Sequence, residues 1–293
     1  MLGLLGPERA LATSRYPRDA DWLTLDLANL SHPSEAVRLL DRHPLDAIYC
    51  VAGMTDVEVC EGQDELVHWT NARGPAVLAG YARRLAIPFV YFSTEYVFDG
   101  RSGPYREEDE PNPINVYGMS KLAGERGVLA AYPEALILRT TVVYGLDARR
   151  KNFLYSLTAA LGAGRRFRVP EDQISTPTYN QDLVRTAVAL VAARASGILH
   201  VCGPELLSRF RFAEAAAGYL GLDGRLIDAV PTAQLGQRAR RPLSAGLLTN
   251  KLRETYPESR LLRLEQALDV CGGQLRESML LEQQQQTLLR SGV

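Results

Sequence analysis

The chain has 293 residues, a formal net charge of −1 and 46% hydrophobic residues, which is typical of a soluble globular protein with one large or two modest domains. The nearly neutral charge argues against a general attraction to nucleic acid or anionic membranes, and no apolar run is long enough to cross a bilayer. The four cysteines are scattered without metal-ligand spacing, so we predict reduced thiols in a cytoplasmic protein and no metal site.

Apolar runs alternate with stretches of helical periodicity along most of the chain. The predicted strands, rich in Val, Ile, Leu or aromatic residues, are 45–53, 87–94, 135–145 and 197–203. The predicted helices, in which apolar residues recur at helical spacing, lie within 66–86, 114–131 and 180–194. This alternation predicts an α/β fold with a Rossmann-like, doubly wound parallel sheet whose strands are joined by helical crossovers.

The pattern loosens after about residue 148, where arginine-rich and proline-containing loops begin. We expect a smaller α/β region there, lying over the carboxyl ends of the strands, where open α/β sheets bind ligands. The predicted Rossmann-like domain is 1–147 with 177–203, and the predicted substrate-binding region is 148–176 with 204–278. Residues 279–293 are glutamine-rich and are expected to form a polar tail, either a frayed helix or a disordered segment.

The most informative segment is STEYVFDG followed by PINVYGMSKLAGE. Tyr117 and Lys121 stand four residues apart, so on a helix both side chains project from one face. A protonated lysine beside a phenol lowers the phenol pKa from about 10, which suits proton transfer in carbonyl reduction. Ser93 and Thr94 end a predicted strand, at the edge where such sheets present active sites. The bland alternative is a surface lysine near a half-buried tyrosine.

Four segments together, STEYVFDG, PYREEDEPNPINVYGMSKLAGE, LILRTTVVYG and DQISTPTY, resemble the extended short-chain dehydrogenase/reductase family. The similarity is greatest to the sugar nucleotide-binding branch that contains the dTDP-4-dehydrorhamnose reductases. It runs from about Leu11 to about Leu268 and includes RRPLSAGLLTNKL near the end of the chain. The resemblance implies an NADP-binding Rossmann-like domain and NADPH-dependent reduction of a nucleotide-linked 4-keto sugar, such as dTDP-4-dehydrorhamnose, with NADH as a second cofactor option.

The same resemblance implies roles for individual residues. Tyr117 would donate a proton to the substrate carbonyl, Lys121 would hold the nicotinamide ribose, and Thr94 would bind the substrate oxygen. The cofactor-binding residues that it implies are Gly3, Gly6, Arg15, Asp26, Leu27, Ala52, Gly53, Thr55, Asn71, Ser93, Tyr117 and Lys121. The implied substrate-binding residues are Thr94, Glu95, Tyr96, Thr176, Pro177 and Thr178. Glu95 stands where the branch usually has aspartate, and Arg15 either pairs with the 2′-phosphate of NADPH or is simply exposed.

The first residues depart from the family pattern Gly-x-x-Gly-x-x-Gly, because only GLLG remains. A parallel crossover needs a dozen or more residues, yet only three residues separate Gly6 from Ala10. We therefore expect the first strand and the first helix to be absent or shortened. Without the strand, two inner edges of the sheet lack a partner, and without the helix, the N-terminus that binds the pyrophosphate is missing. Either the true start of the chain lies elsewhere, or the chain folds with a gap in its sheet and binds NADPH weakly.

Other signals leave alternatives open. The basic segments RRK, GRRFR and QRARR are either solvated loops or contain arginines that clamp the diphosphate of a nucleotide-sugar. The same tyrosine and lysine could serve a nucleotide-sugar epimerase or dehydratase. The PYREED region also resembles the non-catalytic regulatory β subunit of methionine adenosyltransferase. The expected partner is a nucleotide-sugar substrate, not nucleic acid or a membrane, and a homodimer is left open.

Overall fold

The computed structural model of the protein describes residues 10–15, 22–30, 40–147 and 150–291, with side chains up to Glu277 except that of Asn29. Gly3 and Gly6, the two glycines of the predicted pyrophosphate turn, therefore lie outside the described residues.

Regular elements alternate along the chain as the hydrophobic pattern predicts. The strands are β1 Thr13–Ser14, β2 Leu23–Thr24, β3 Ile48–Cys50, β4 Phe89–Thr94, β5 Leu136–Thr140, β6 Val143–Tyr144, β7 Phe167–Pro170, β8 Ile174–Ser175, β9 Thr178–Tyr179, β10 Gly197–His200, β11 Leu207–Ser208 and β12 Ile227–Val230. The α-helices are α1 Val57–Cys60, α2 Asp64–His68, α3 Gly74–Arg84, α4 Val116–Ala131, α5 Phe153–Gly162, α6 Asn180–Ala192, α7 Arg209–Leu220, α8 Asn250–Thr255 and α9 Leu264–Ser291.

A four-stranded parallel sheet in the order β10-β5-β4-β3 forms the centre of the fold. Its strands are buried on both faces, since successive side chains of β4 enter two different cores. Tyr91 packs with Leu78 and Val128 from α3 and α4, whereas Val90 packs with Leu190 from α6. The doubly covered parallel sheet confirms the predicted α/β fold class and explains why its strands are continuous apolar runs.

A second parallel pair, β1 with β2, is separate from this sheet. In the portion of the chain that the structure describes, β3 pairs with β4 alone, and β1 pairs with β2 alone. Residues 1–9 lie outside the described part of the chain, so the expectation of two inner sheet edges without partner strands stays a prediction. The edge strand β3 ends close to the site described below.

Two predicted elements are interrupted for visible reasons. The predicted strand 135–145 divides into β5 and β6, because Val142 adopts a left-handed backbone conformation with φ of 41°. The predicted helix 66–86 contains a π-helical segment, Trp69–Arg73, between α2 and α3, and Pro75 follows at the start of α3.

The C-terminal half builds its own core around Phe212, Leu154 and Leu268, which come from α7, α5 and α9. Beside it, β7 pairs in parallel with β12. The last helix continues to Ser291, so the described part of the expected polar tail is helical. The boundaries between the Rossmann-like and substrate-binding regions stay a prediction. Over the described residues, none of the helices combines the length and the apolar character that crossing a membrane requires.

Candidate active site

Helix α4 places Tyr117 at the carboxyl edge of the central sheet. Its first turn is capped by Asn115, whose Oδ1 accepts a hydrogen bond from the Gly118 amide at 2.7 Å. Gly118 lets this turn approach the short helical turn that follows β4, since a Cβ there would lie 2.1 Å from the carbonyl oxygen of Tyr96. The cap and the close approach together hold Tyr117 against the residues that follow β4.

The predicted catalytic residues are brought together and are almost fully buried. Thr94, Tyr117 and Lys121 are 6%, 8% and 4% exposed. Thr94 ends β4, and its hydroxyl acts as a hydrogen-bond partner of the Tyr117 phenol. Lys121 lies one turn further along α4, with its Nζ 3.9 Å from the ring centroid of Tyr91. The hydroxyl and the phenol therefore meet at the carboxyl end of β4, and the ammonium follows one helical turn away.

Burial controls how these groups titrate. It raises the pKa of Tyr117 well above its usual value, although the nearby Thr94 hydroxyl acts in the opposite direction. Burial also lowers the pKa of Lys121 to about 8, against the opposing influence of Cys50 and Glu125. The expected lowering of the Tyr117 pKa by Lys121 is not found, because desolvation of the buried phenol dominates and raises this pKa. Tyr117 is a protonated phenol at neutral pH.

Ser93 is engaged by a buried ion pair underneath the site. Its hydroxyl donates to Glu125 Oε1 at 2.5 Å, and Arg139 donates to the same carboxylate through Nε at 2.9 Å and Nη2 at 2.7 Å. The side chains of Glu125 and Arg139 are each 2% exposed. Since Glu125 follows Lys121 by one turn, the pair joins α4 to β4 and β5. The predicted contact of Ser93 with a cofactor stays a prediction.

The loop after β3 follows the same edge of the sheet. Ala52 and Thr55 are exposed and Gly53 is half-buried, as expected for residues that face a ligand. Asn71 shapes this loop from inside, because its side chain accepts from the Met54 amide at 2.8 Å and donates to the Met54 carbonyl at 3.0 Å.

Asn71 also reaches the catalytic helix. Its Nδ2 donates to Ser120 Oγ at 2.9 Å, and the residue is completely buried. Both of its amide protons are thus used within the protein, so Asn71 positions the loop and α4 relative to each other. Its predicted contact with a cofactor remains untested by this geometry.

Further along the edge, a cavity of about 540 Å³ lies beside Arg15. It is also lined by Ala28, Gln63, Leu66 and Trp69, among other residues. Arg15 forms an ion pair with Asp26 at 3.1 Å.

Asp26 also accepts a hydrogen bond from the Ala28 amide at 3.0 Å, which fixes the short helical turn Leu27–Asn29. Leu27 itself is 5% exposed and packs in the core, where its backbone oxygen lies 2.7 Å from the position of a Cβ on Gly74. Of these three predicted cofactor-binding residues, Arg15 lines the cavity, Asp26 forms an ion pair with Arg15, and Leu27 is buried in the core.

The predicted substrate residues lie in the turn after β4 and in the segment that leads into β9. Tyr96 packs edge-on against Tyr117, with ring centroids 5.6 Å apart. Glu95 is 4% exposed, and burial raises its pKa to about 8. Thr176 accepts a hydrogen bond from the Leu247 amide at 3.1 Å.

Thr178 donates to the Thr176 carbonyl at 3.3 Å and accepts from the Thr140 hydroxyl at 3.2 Å. Pro177 is buried, and its carbonyl oxygen lies 2.0 Å from the position of a Cβ on Gly203. These three loop residues are held tightly by the protein, and their contact with a substrate stays a prediction.

Sequence reasoning missed residues whose partners are distant along the chain. Glu125 carries a usable signal, because it continues the four-residue spacing of Tyr117 and Lys121 on one helix face. Arg209 has no such signal, since only the fold brings its guanidinium near Glu95. Trp69, which lies within the predicted helix 66–86, lines the cavity next to Arg15.

Comparisons with known proteins agree with this geometry. The model of the RmlD substrate binding domain family matches residues 3–269. A dTDP-4-dehydrorhamnose reductase of Mycobacterium tuberculosis is 36% identical over 245 residues, which are 82% of this chain and 80% of that protein. The probable low-salt glycan biosynthesis reductase Agl14 of Haloferax volcanii is 35% identical over 222 residues, 74% of either chain.

Solved structures give the same result. The dTDP-4-dehydrorhamnose reductase of Clostridium acetobutylicum superposes with a TM-score of 0.79 and 29% identity, covering 86% of this chain and 88% of that one. The enzyme of Bacillus anthracis, solved in complex with NADP, gives a TM-score of 0.78 and 29% identity, covering 91% of both chains. The predicted family resemblance is confirmed, and the chain belongs to the RmlD substrate binding domain family.

Proposed function

We propose that the protein is an NADPH-dependent reductase of a nucleotide-linked 4-keto sugar, as its relatives named dTDP-4-dehydrorhamnose reductase are. The observation that carries the proposal is the convergence of Thr94, Tyr117 and Lys121 at the carboxyl edge of the sheet, in a chain of this family. Tyr117 carries its proton at neutral pH, so it can act as the proton donor in carbonyl reduction.

The residues of the site fit a nicotinamide dinucleotide. The loop at Ala52 and Gly53 leaves backbone open at the sheet edge, and the cavity beside Arg15 and Trp69 is available to the adenosine half. Lys121 would hold the ribose of the nicotinamide half. When bound, NADPH supplies the hydride that forms the new C–H bond at the carbonyl carbon.

The protein's own residues complete the reaction. Thr94 donates a hydrogen bond to the carbonyl oxygen, and this contact strengthens as negative charge develops there. Tyr117 transfers its hydroxyl proton to the same oxygen, so the ketone becomes a secondary alcohol. Lys121 keeps a positive charge near the phenol at neutral pH, which stabilises the phenolate left behind. Glu95 and Tyr96, which follow Thr94 directly, would orient the sugar beside Tyr117.

The deciding experiment measures NADPH oxidation with dTDP-4-dehydrorhamnose by wild type and by Tyr117→Phe. Loss of a general acid costs roughly 10²–10⁴-fold, so we expect kcat to fall by that factor. Tyr132→Phe is the matched control, since Tyr132 is equally buried at the far end of the same helix. An unchanged kcat in Tyr117→Phe would reject the assignment.

The same assay separates the alternatives. A nucleotide-sugar epimerase or dehydratase recycles its cofactor and would consume no NADPH on balance. A non-catalytic regulatory subunit would show no turnover with any 4-keto sugar, in wild type and variants alike. Direct titration of the wild-type protein with NADPH, followed by fluorescence, tests whether the cofactor binds independently of turnover.

A further inference from the structure

The buried ammonium of Lys121 lies over an aromatic ring to which the reaction steps above give no role. Lys121 is 4% exposed, and its Nζ lies 3.9 Å from the ring centroid of Tyr91. Tyr91 is completely buried and lies on β4, three residues before Thr94. A cation at this distance is attracted by the negative face of the aromatic ring. The contact therefore favours the charged form of a lysine whose burial favours the neutral form.

The other titratable groups around Lys121 offer it no free negative charge at neutral pH. Glu125 favours the charged form of Lys121, but it accepts two hydrogen bonds from the buried arginine of β5, which neutralises it. Cys50, at the end of β3, is a neutral thiol because burial raises its pKa to about 11. Tyr117, one turn earlier on α4, is protonated. Among the described residues no carboxylate lies at ion-pair distance from Lys121, so the group that faces its ammonium is the ring of Tyr91.

Two neighbouring elements hold the ring of Tyr91 in place. Its hydroxyl donates to the backbone carbonyl of Asn71 at 2.6 Å, within the π-helical segment Trp69–Arg73. Gly124 of α4 leaves room for the ring, since a Cβ there would lie 2.3 Å from the Tyr91 hydroxyl oxygen and 2.8 Å from its Cζ. Burial raises the pKa of Tyr91 well above its usual value, so the hydroxyl stays a donor. The ring is thus fixed between the π-helical segment and the helix that carries Lys121.

An aromatic ring serves a buried lysine differently from a carboxylate. A carboxylate forms an ion pair and accepts N–H donors, whereas the face of a ring attracts the cation without requiring a hydrogen bond. In the part of the chain that the structure describes, the Nζ of Lys121 donates no hydrogen bond. Its donors therefore stay available at the edge of the sheet, where the proposed function places the ribose.

We propose that Tyr91 is a positioning residue of the reductase, whose ring keeps the ammonium of Lys121 charged and its donors available. This inference rests on the proposed function, because it gives a task to a neighbour of the same site. Since Tyr91 is completely buried, it acts through Lys121 and not on a ligand. The charge on the face of the ring, and not its volume, should then control the ionisation of Lys121.

The test follows the titration of Lys121 by NMR of the protein with isotope-labelled lysine side chains. The sequence has three lysines, so Lys151→Arg with Lys251→Arg leaves Lys121 as the single signal. In this background we expect Tyr91→Leu to lower the pH of half-titration by about one unit, through loss of a desolvated cation–π contact. Tyr91→Phe keeps the ring and should leave the half-titration unchanged.

Phe89→Leu is the matched control, because Phe89 is completely buried in the same core, two residues earlier on the same face of β4. It should lower stability without moving the titration of Lys121. An unchanged or raised half-titration in Tyr91→Leu would overturn the inference, as would an equal fall in Phe89→Leu.

A second comparison applies should Tyr91→Leu fail to fold. Phenylalanine and pentafluorophenylalanine at position 91 have nearly the same shape, but the fluorine atoms remove the negative charge from the ring face. A lower half-titration with the fluorinated ring supports the inference, and equal values reject it.

Activity gives an independent readout with NADPH and dTDP-4-dehydrorhamnose. The alkaline fall of kcat should move to lower pH in Tyr91→Leu by the same amount as the NMR titration. A protein that shows the NMR shift without oxidising NADPH would retain the role of Tyr91 toward Lys121 and reject the reductase. Turnover by the wild type, with one half-titration shared by all variants, would retain the reductase and reject the role of Tyr91.

Discussion

Replacing Glu125 by glutamine tests the energetic role of the ion pair beneath the active site. Glu125 accepts three hydrogen bonds, one from Ser93 and two from Arg139, and both charged side chains are 2% exposed. Glutamine has the same shape, but it carries no charge and turns an amide group toward the guanidinium. Breaking a buried pair from one side costs about 3–5 kcal/mol, because the remaining charge is uncompensated. Glutamine can still accept the Ser93 hydrogen bond, worth about 1 kcal/mol, so we expect about 3 kcal/mol.

The assay is urea denaturation followed by circular dichroism, which gives the free energy of unfolding and its slope with denaturant. Glu214→Gln is the control, since Glu214 pairs with Arg211 in an exposed position on α7, and its loss should cost less than about 0.5 kcal/mol. Replacing the buried pair by Glu125→Leu with Arg139→Met should recover most of the loss. A loss below about 1 kcal/mol in Glu125→Gln would refute the reasoning.

Three further outcomes are expected. The kcat for NADPH oxidation should fall as pH rises through about 8, because burial lowers the pKa of Lys121 to about 8 and the ammonium is the active form. A pH–rate profile that stays flat up to about pH 10 would contradict this prediction. Gly118→Ala should lower the melting temperature and raise KM, since the new Cβ would lie 2.1 Å from the Tyr96 carbonyl oxygen. Gly218→Ala is the control and should change neither value, because no atom lies within 4 Å of the new Cβ. Burial lowers the pKa of His200 from 6.5 to about 3. Between these two pH values the imidazole is protonated in the unfolded chain and neutral in the folded protein. Stability should therefore fall as pH drops from about 6.5 toward 3, by at most ~1.4 kcal/mol per pH unit for this group, and His200→Gln should remove that slope in urea titrations.

Local sequence patterns predict the centre of this fold because its strands are buried on both faces. The segment that forms β4 is apolar or aromatic up to Ser93. The helix that carries Tyr117 is indicated by its N-cap residue, Asn115, and by the spacing of its apolar residues. The four-residue interval between Tyr117 and Lys121 likewise depends only on helical geometry. Such features are encoded within a few neighbouring residues, so the amino-acid sequence alone is enough to locate them.

Features that depend on distant partners could not be predicted in this way. Arg139 looks like an interruption of an apolar strand until the fold places Glu125 beside it. The direction of the Tyr117 pKa was misjudged because spacing reveals a neighbouring lysine but not the extent of desolvation. Arg241 lies in a basic segment whose sequence does not reveal its surroundings, and the fold places its side chain, 9% exposed, against Glu58.

The hydrogen bonds of Asn71 have a mechanical consequence for the two halves of the reaction. One amide group fastens the backbone at Met54, where a dinucleotide would pass, and the hydroxyl of Ser120, one residue before Lys121. One buried side chain therefore ties the loop to the helix that carries Tyr117 and Lys121. Because both connections share this amide, we expect a displacement of the loop to move the helix with it.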